Sequence, residues 1–380
     1  MQQLMVRLLQ SRGRLLVRGL SYSELRKRTL GFVESMRIRD GVYGRYRHAS
    51  SQSEPVLYAS LCAALTRHLY RDLDSLTAVE KKEWIDYIKS FQCPDGLFRD
   101  PVLENELADS VGWWGWRHLT LHAVMALTVL GTMVSNRFAF LDPYLDADRL
   151  IAWLETRDWE NPSPVSNAVQ NVGVLLQYSR DFHSSDAAGR AVECLFDWLD
   201  KTQDPKTGSW GTFKPNRRGL SDVVQTGYHL WLLYFYECRP LACIEKIVDH
   251  TLATQGQLGG FGVEPNSTAC DDIDSIDPLV RLSQVTSYRR VEIQGAMVRA
   301  LPWVLTNMND DGGFVFSREE SVHVGHVLTS YRKNESAMFP TWFRTLSLAY
   351  LAQLLLDTDT IGFDWQFLDC PGHQFWKTAK

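Results

Sequence analysis

A chain of 380 residues, 45% hydrophobic and holding thirteen tryptophans, has material for one large buried core. Its formal net charge of −5 argues against non-specific nucleic-acid binding, which wants a basic face. No apolar run reaches the roughly 18 residues of a membrane span, and seven scattered cysteines without metal-type spacing fit reduced thiols and a cytoplasmic location.

Residues 1–23 carry Arg7, Arg12, Arg14 and Arg18 and no acid, interleaved with Met5, Leu8, Leu9, Leu15, Leu16 and Leu20. This pattern predicts a basic amphipathic helix that either packs on the domain or makes peripheral contact with an anionic membrane. Helical spacing of apolar residues then predicts pairs of helices. One set covers Glu24–Arg37, Val79–Gln92, Asp146–Arg157, Ala187–Gln203, Ala242–Gln255 and Glu292–Met308. The other covers Pro55–Tyr70, His118–Met133, Val165–Tyr178, Asp222–Cys238, Pro278–Ser287 and Ala337–Leu356.

Between the two sets one phrase recurs: a polar residue, then a glycine, one more residue and an aromatic. Its copies are Arg37/Gly41/Tyr43, Gln92/Gly96/Phe98, Gln203/Gly208/Trp210, Gln255/Gly259/Phe261 and Asn309/Gly312/Phe314. A sixth, eroded copy has Trp153-Leu154 before Asp158-Trp159, with Asn161-Pro162-Ser163-Pro164 in place of the glycine. The glycine is expected to end the helix in a left-handed conformation, with the polar residue bonding stranded backbone groups. A period of about fifty residues means one supersecondary unit repeated around an axis. Six helical hairpins without distinct terminal caps predict a closed all-α ring, the (α/α)6 toroid, over residues 24–360, with 361–380 as a C-terminal tail.

Three clusters then invite chemistry. Trp113, Trp114 and Trp116 fall within four residues and suit a wall against an apolar or sugar substrate, or against a carbocation. His118 and His122 follow at a spacing that shares one helix face, and Glu104, Glu106 and Asp109 precede them as candidate bases or N-terminal charges. The predicted helix 222–238 places Asp222, Tyr228 and His229 near its start, as core or as substrate contacts. The densest cluster is Asp271, Asp272, Asp274 and Asp277, four carboxylates in seven residues. If poorly solvated they repel, at least one pKa rises, and a protonated carboxyl becomes available as an acid. Asp271 and Asp272 also read as solvated loop acids or as charges at a helix N-terminus. Asp277 before Pro278 also reads as a helix N-cap followed by proline at the first position.

The segment Trp198-Leu199 through Gln203 to Gly208-Ser209-Trp210-Gly211, with Tyr87-Ile88 through Gln92 to Phe98 and the Gly-Gly-Phe corners at 259–261 and 312–314, resembles the repeat of the squalene-hopene cyclase and protein prenyltransferase β-subunit superfamily. The resemblance spans most of the chain and implies the terpenoid-cyclase α/α toroid. Class II cyclases start catalysis with an Asp-x-Asp-Asp acid; Asp272-Ile273-Asp274-Ser275 matches three of the four places, which implies Asp274 as proton donor and Asp272 as its support. Prenyltransferases bind zinc through an aspartate, a cysteine two residues on and a distant histidine. Cys270 and Asp272 stand in the reverse order, with His323 or His326 a repeat later, so neither metal nor other cofactor is expected.

The leading expectation is an enzyme that protonates an isoprenoid or similarly apolar chain in an aromatic cavity. Two alternatives stand beside it: a glycan-processing hydrolase, lyase or epimerase on the same scaffold, and a toroid that binds a lipid or peptide without catalysis.

Overall fold

The computed structural model describes residues 1–103, 115–324, 326–355, 361–362 and 364–377. In chain order the described residues form α1 (Gln2–Leu8), α2 (Arg14–Gly19), α3 (Tyr22–Ser35), α4 (Leu57–Leu69), α5 (Ala78–Lys89), α6 (Trp116–Val129), α7 (Ala147–Glu155), α8 (Pro162–His183), α9 (Asp186–Thr202), α10 (Arg217–Glu237), α11 (Ile244–Ala253), α12 (Ala269–Val285), α13 (Arg290–Thr306) and α14 (Met338–Ala352). A short antiparallel hairpin, β1 (Val322–Val324) and β2 (His326–Tyr331), is the one departure from all-helical structure among them.

Helices α4, α6, α8, α10, α12 and α14 each pack on the next, and α14 returns to α4, so the ring closes. This is the (α/α)6 toroid. Its inner helices read apolar on every side because both faces are covered: all thirteen residues of α4 and all fifteen of α14 are buried. Outer helices carry one stripe only. In α9, Ala188, Ala191, Val192, Leu195, Phe196 and Leu199 are buried, the three- and four-residue spacing of a helix with one wet face.

The recurring phrase builds the corner from each outer helix to the next inner one, with one difference from expectation. The outer helices end in right-handed caps at Met36, Ser90, Thr254 and Asn307, and the glycines lie further on, in the turn of a small hairpin such as Gln92 against Phe98. Gly41, Gly96, Gly208, Gly259 and Gly312 all have φ between 70° and 101°. At Gly312 a second constraint operates, because a Cβ there would lie 2.1 Å from the carbonyl oxygen of Arg28 on α3. That contact joins the last corner to the first outer helix. The glutamines do bond stranded carbonyls: Gln92 Nε2 donates to Gly96 O (3.1 Å), Gln203 Nε2 to Gly208 O (2.9 Å) and Gln255 Nε2 to Gly259 O (2.9 Å).

Because every corner precedes an inner helix, all six inner N-termini surround one end of the drum. Residues 361–362 and 364–377 cross the opposite end. Gln366 N donates to Leu69 O (3.0 Å), Gln374 Nε2 to Leu65 O (3.1 Å) and Trp342 Nε1 to Gln374 Oε1 (2.6 Å), so the tail is threaded into the ring. The N-terminal rod lies against α13, burying Met5 and Leu9, with Gly13 so close to Pro302 O that a Cβ would sit 2.1 Å from it. Among the described residues no helix is long and apolar enough to cross a membrane.

Candidate functional site

At the corner end the ring encloses a chamber of about 330 Å³, a size at the low end for small-molecule sites. Five inner helices and the tail line it: His118 from α6, Asn167 and Gln170 from α8, Gln225, Tyr228 and His229 from α10, Asp271 and Asp274 from α12, Phe339 and Phe343 from α14, and His373 from the tail. One side is aromatic and another carries amides and imidazoles.

The acidic cluster sits on a helix that begins well before Pro278, which corrects the reading of Asp277 as N-cap. The cap is Thr268: its Oγ1 accepts from Asp271 N (3.1 Å), while Asp271 Oδ2 accepts from Thr268 N (3.0 Å), a reciprocal capping box. Pro278 lies inside α12, where its missing N–H leaves the carbonyl of Asp274 without its helical partner. The four acids therefore differ in task. Asp271 also accepts from Gln225 Nε2 (2.6 Å). Asp272 is wholly buried and does not line the chamber; it pairs with Arg344 Nη1 (2.7 Å) and accepts from Phe261 N (3.0 Å), Ser267 Oγ (2.9 Å) and Trp303 Nε1 (3.2 Å). Asp277 accepts from Arg281 Nε (2.5 Å) and Tyr228 OH (3.2 Å).

Asp274 has no such ties. Among the described residues its carboxyl takes part in no hydrogen bond; it lines the chamber and is 5% exposed. Burial first, then the charges of Asp271, Asp277 and Asp272, push its pKa well above the usual carboxylate range. It is a buried carboxyl, shifted toward its protonated form, that faces the cavity.

The imidazoles facing it are neutral. Burial holds His229 down at about 4 and His118 and His373 well below the ordinary value, the last two further lowered by their histidine neighbours. Tyr58 OH lies 3.0 Å from His118 Nδ1, and Ser166 Oγ lies 3.0 Å from His229 Nδ1. Gln170 Nε2 is 3.4 Å from His373 Nε2. His122 stands one layer back, its ring 4.3 Å from that of His118 and 5.3 Å from Trp342, and it does not reach the chamber.

Of the other sequence candidates, Trp116 is buried as the first residue of α6, away from the chamber, and Asp222 pairs with Arg218 (3.1 Å) beside it. Trp113, Trp114, Glu104, Glu106 and Asp109 lie outside the described residues. Cys270 reaches the chamber, while His323 sits in the hairpin with its Nδ1 2.9 Å from Ser330 Oγ. Among the described residues no three His, Cys, Asp or Glu side chains gather in a metal-binding arrangement. Sequence reasoning missed Asn167, Gln170, Phe339, Phe343 and His373. The first two had a signal, polar residues at helical spacing inside an otherwise apolar inner helix; His373 had none.

No family model matches the chain and no curated protein does. Solved structures align with it at low identity. A type II terpene cyclase from Scytonema, in complex with geranylgeranyl dihydroxybenzoate, aligns with 90% of this chain and 98% of its own, at 14% identity and a TM-score of 0.46. An α-1,6-mannanase from Salegentibacter sp. HEL1_6 aligns with 88% of this chain and 100% of its own, at 11% identity and a TM-score of 0.48. The ent-copalyl diphosphate synthase from Streptomyces platensis is similar over 79% of this chain and 50% of its own, at 14% identity and a TM-score of 0.43. These identities leave the chain's activity to be argued from its own residues.

Proposed function

We propose that the chain is a terpenoid-cyclase-like enzyme in which Asp274 protonates an isoprenoid or similarly apolar chain held in the chamber. The single observation that carries this reading is the setting of Asp274: buried among three other carboxyls, free of hydrogen bonds among the described residues and open to an aromatic-walled cavity. A weak base such as an alkene takes a proton only from an acid with nothing better to bond. The rings of Phe339, Phe343 and Tyr228 would face the cation that forms, and a neutral imidazole of His118, His229 or His373 could take the proton released at the end. Asp272 then supports catalysis indirectly, by fixing the start of α12. Incubating Asp274→Asn with linear prenyl substrates tests this: product should vanish while the melting curve stays, and undiminished product would remove the mechanism.

A second reading has its own observation. The amides of Asn167, Gln170 and Gln225 beside the imidazoles make one wall suited to hydroxyl groups, as a glycan-processing enzyme would need. Tight binding of oligosaccharides and none of prenyl alcohols would favour it.

The N-terminal rod supports a peripheral membrane contact. Its outward side shows Leu4 (40% exposed) and Leu15 (58%) flanked by exposed Arg7, Arg14 and Arg18. Arg12 pairs with Asp310 of the sixth corner, which sets the rod at the chamber's end of the drum, where an apolar substrate would arrive from lipid. Charge reversal of Arg7, Arg14 and Arg18 to Glu should abolish sedimentation with phosphatidylserine vesicles; unchanged sedimentation would exclude the rod as the contact.

A further inference from the structure

Toward the tail end of the drum lies a second cavity of about 270 Å³, its lining mostly apolar and including Leu241, Ile244 and Leu282, with exposed Pro240 and Val285 at its rim. Two inner helices serve both cavities. On α10, Tyr228 faces the chamber and Phe235 the second cavity; on α12, Asp274 faces the chamber and Arg281 the second cavity. Each pair is seven residues apart, close to two turns, which puts both members on one helix face about 10 Å apart along the axis. The tail spans the same divide, with His373 in the chamber and Trp376 in the second cavity.

Between the residues that line the two cavities stand Asp277 and Phe375, both wholly buried. Arg281 pairs with Asp277 (2.5 Å), donates from Nη2 to Phe375 O (2.6 Å), and holds its guanidinium 4.3 Å from the centre of the Phe375 ring. Tyr350 OH donates to the same carbonyl (3.2 Å), and Phe375 is wholly buried. With its charge met by Asp277 and its faces covered by rings, Arg281 presents a steric barrier rather than a free cation. The barrier is fixed in place: next to Phe375, Gln374 is held at φ +61° with both ends of its amide bonded, to Trp342 and to Leu65 O.

We propose that Phe375, clamped by Arg281, is the stop that sets how long an apolar chain the drum accepts, and that the second cavity takes the distal end of a longer chain once the stop is trimmed. The inference rests on the prenyl reading of the chamber. It follows from continuity: one pair of helix faces lines both cavities, and the tail passes from one to the other between His373 and Trp376.

The test titrates the full-length protein with farnesol, geranylgeraniol and farnesylgeraniol, following intrinsic tryptophan fluorescence, for wild type, Phe375→Ala and the milder Phe375→Leu, each first shown by circular dichroism to melt cooperatively. Wild type should bind one of the shorter alcohols best and lose affinity for the next. Either folded variant should shift the optimum to a longer alcohol, with a gain of at least about tenfold, as expected from burying two more methylene groups. The Leu variant keeps an apolar contact with Arg281 and carries the test if the Ala variant does not fold. An unchanged length preference in a folded variant overturns the stop while wild-type binding keeps the prenyl reading. Failure of wild type to bind any of the three alcohols overturns the prenyl reading and, with it, the stop.

Discussion

The two ends of the drum are built from the same six helices yet carry opposite chemistry. At the corner end, inner-helix N-termini surround an opening lined by Asp271, Asp274 and neutral imidazoles. At the other end, a non-helical tail fills the ring, and buried Arg281 is wrapped by the rings of Phe235 and Tyr350 from the helices and of Phe375 and Trp376 from the tail. The repeat alone would have made every hairpin alike and both ends equivalent. The difference shows that the site arises where the repeat is broken, on α12 and in the tail, while the unbroken copies supply the frame.

The contrast can be broken most severely at Asp274. Asp274→Asn should lower turnover of a prenyl substrate by about 10²–10⁴-fold, the usual worth of a positioned acid. It should leave the melting temperature the same or higher, because a carboxyl crowded by three others is replaced by a neutral amide. A comparable loss of stability would assign Asp274 to the frame. Next in size is Arg344→Met. It leaves the carboxylate of Asp272 buried and unpaired and removes donors to Val315 O (2.9 Å) and Phe316 O (2.8 Å), at a cost of about 3–5 kcal/mol in denaturant unfolding. Adding Asp272→Leu should recover part of it, since an empty charge site costs more than an apolar one.

Acidity separates the same two roles. Burial lowers His48, His68, His122 and His229 each to about 4. Between pH 4 and 6.5 the unfolded chain therefore binds more protons than the folded one, and stability rises with pH across that window. Asp274 has the opposite sign: its raised pKa means the folded state holds the extra proton, so stability falls as pH climbs from the ordinary carboxylate range toward that pKa, and activity falls once the acid ionises. Thermal melts from pH 4 to 7 should show the rise, and His229→Gln should reduce its slope; a flat wild-type profile would mean that the histidines are not held neutral. The alkaline limb of the rate profile should be lost in Asp274→Asn's residual activity.

The frame was legible in the chain because its signals are local. Glycine turns, glutamines facing stranded carbonyls and helical stripes all act within a few residues, and all twelve predicted helices have counterparts near their predicted positions. The start of α12 was misread because two caps competed. Thr268-Ala269-Cys270-Asp271 and Asp277-Pro278 are both local cap signals, and the first prevailed because the buried bonds of Asp272 to Phe261, Ser267 and Arg344 need a helix there already. Those partners come from distant segments, as does the wall that His373 supplies by threading back across the ring. No periodicity in residues 361–377 announces such a path.

The smallest prediction asks whether Asp272 belongs to the frame at all. Phe98 N donates to Thr120 Oγ1 on α6 (2.8 Å), Phe314 N to Thr341 Oγ1 on α14 (3.0 Å), and Phe261 N to Asp272 Oδ1 on α12 (3.0 Å). Each acceptor lies in the first turns of the inner helix that follows its corner, so a carboxylate on α12 does what a hydroxyl does in two other repeats. Thr120→Val and Thr341→Val each leave one buried corner N–H without an acceptor and should cost about 1–3 kcal/mol. The two sites sit in different repeats and share no partner, so their effects should add in the double variant. Neither side chain reaches the chamber, so both variants should keep wild-type affinity for a prenyl alcohol. A Thr341→Val protein that weakened ligand binding as much as stability would show that corner and chamber move together, and Asp272 would then have to be counted with the site as well as with the frame.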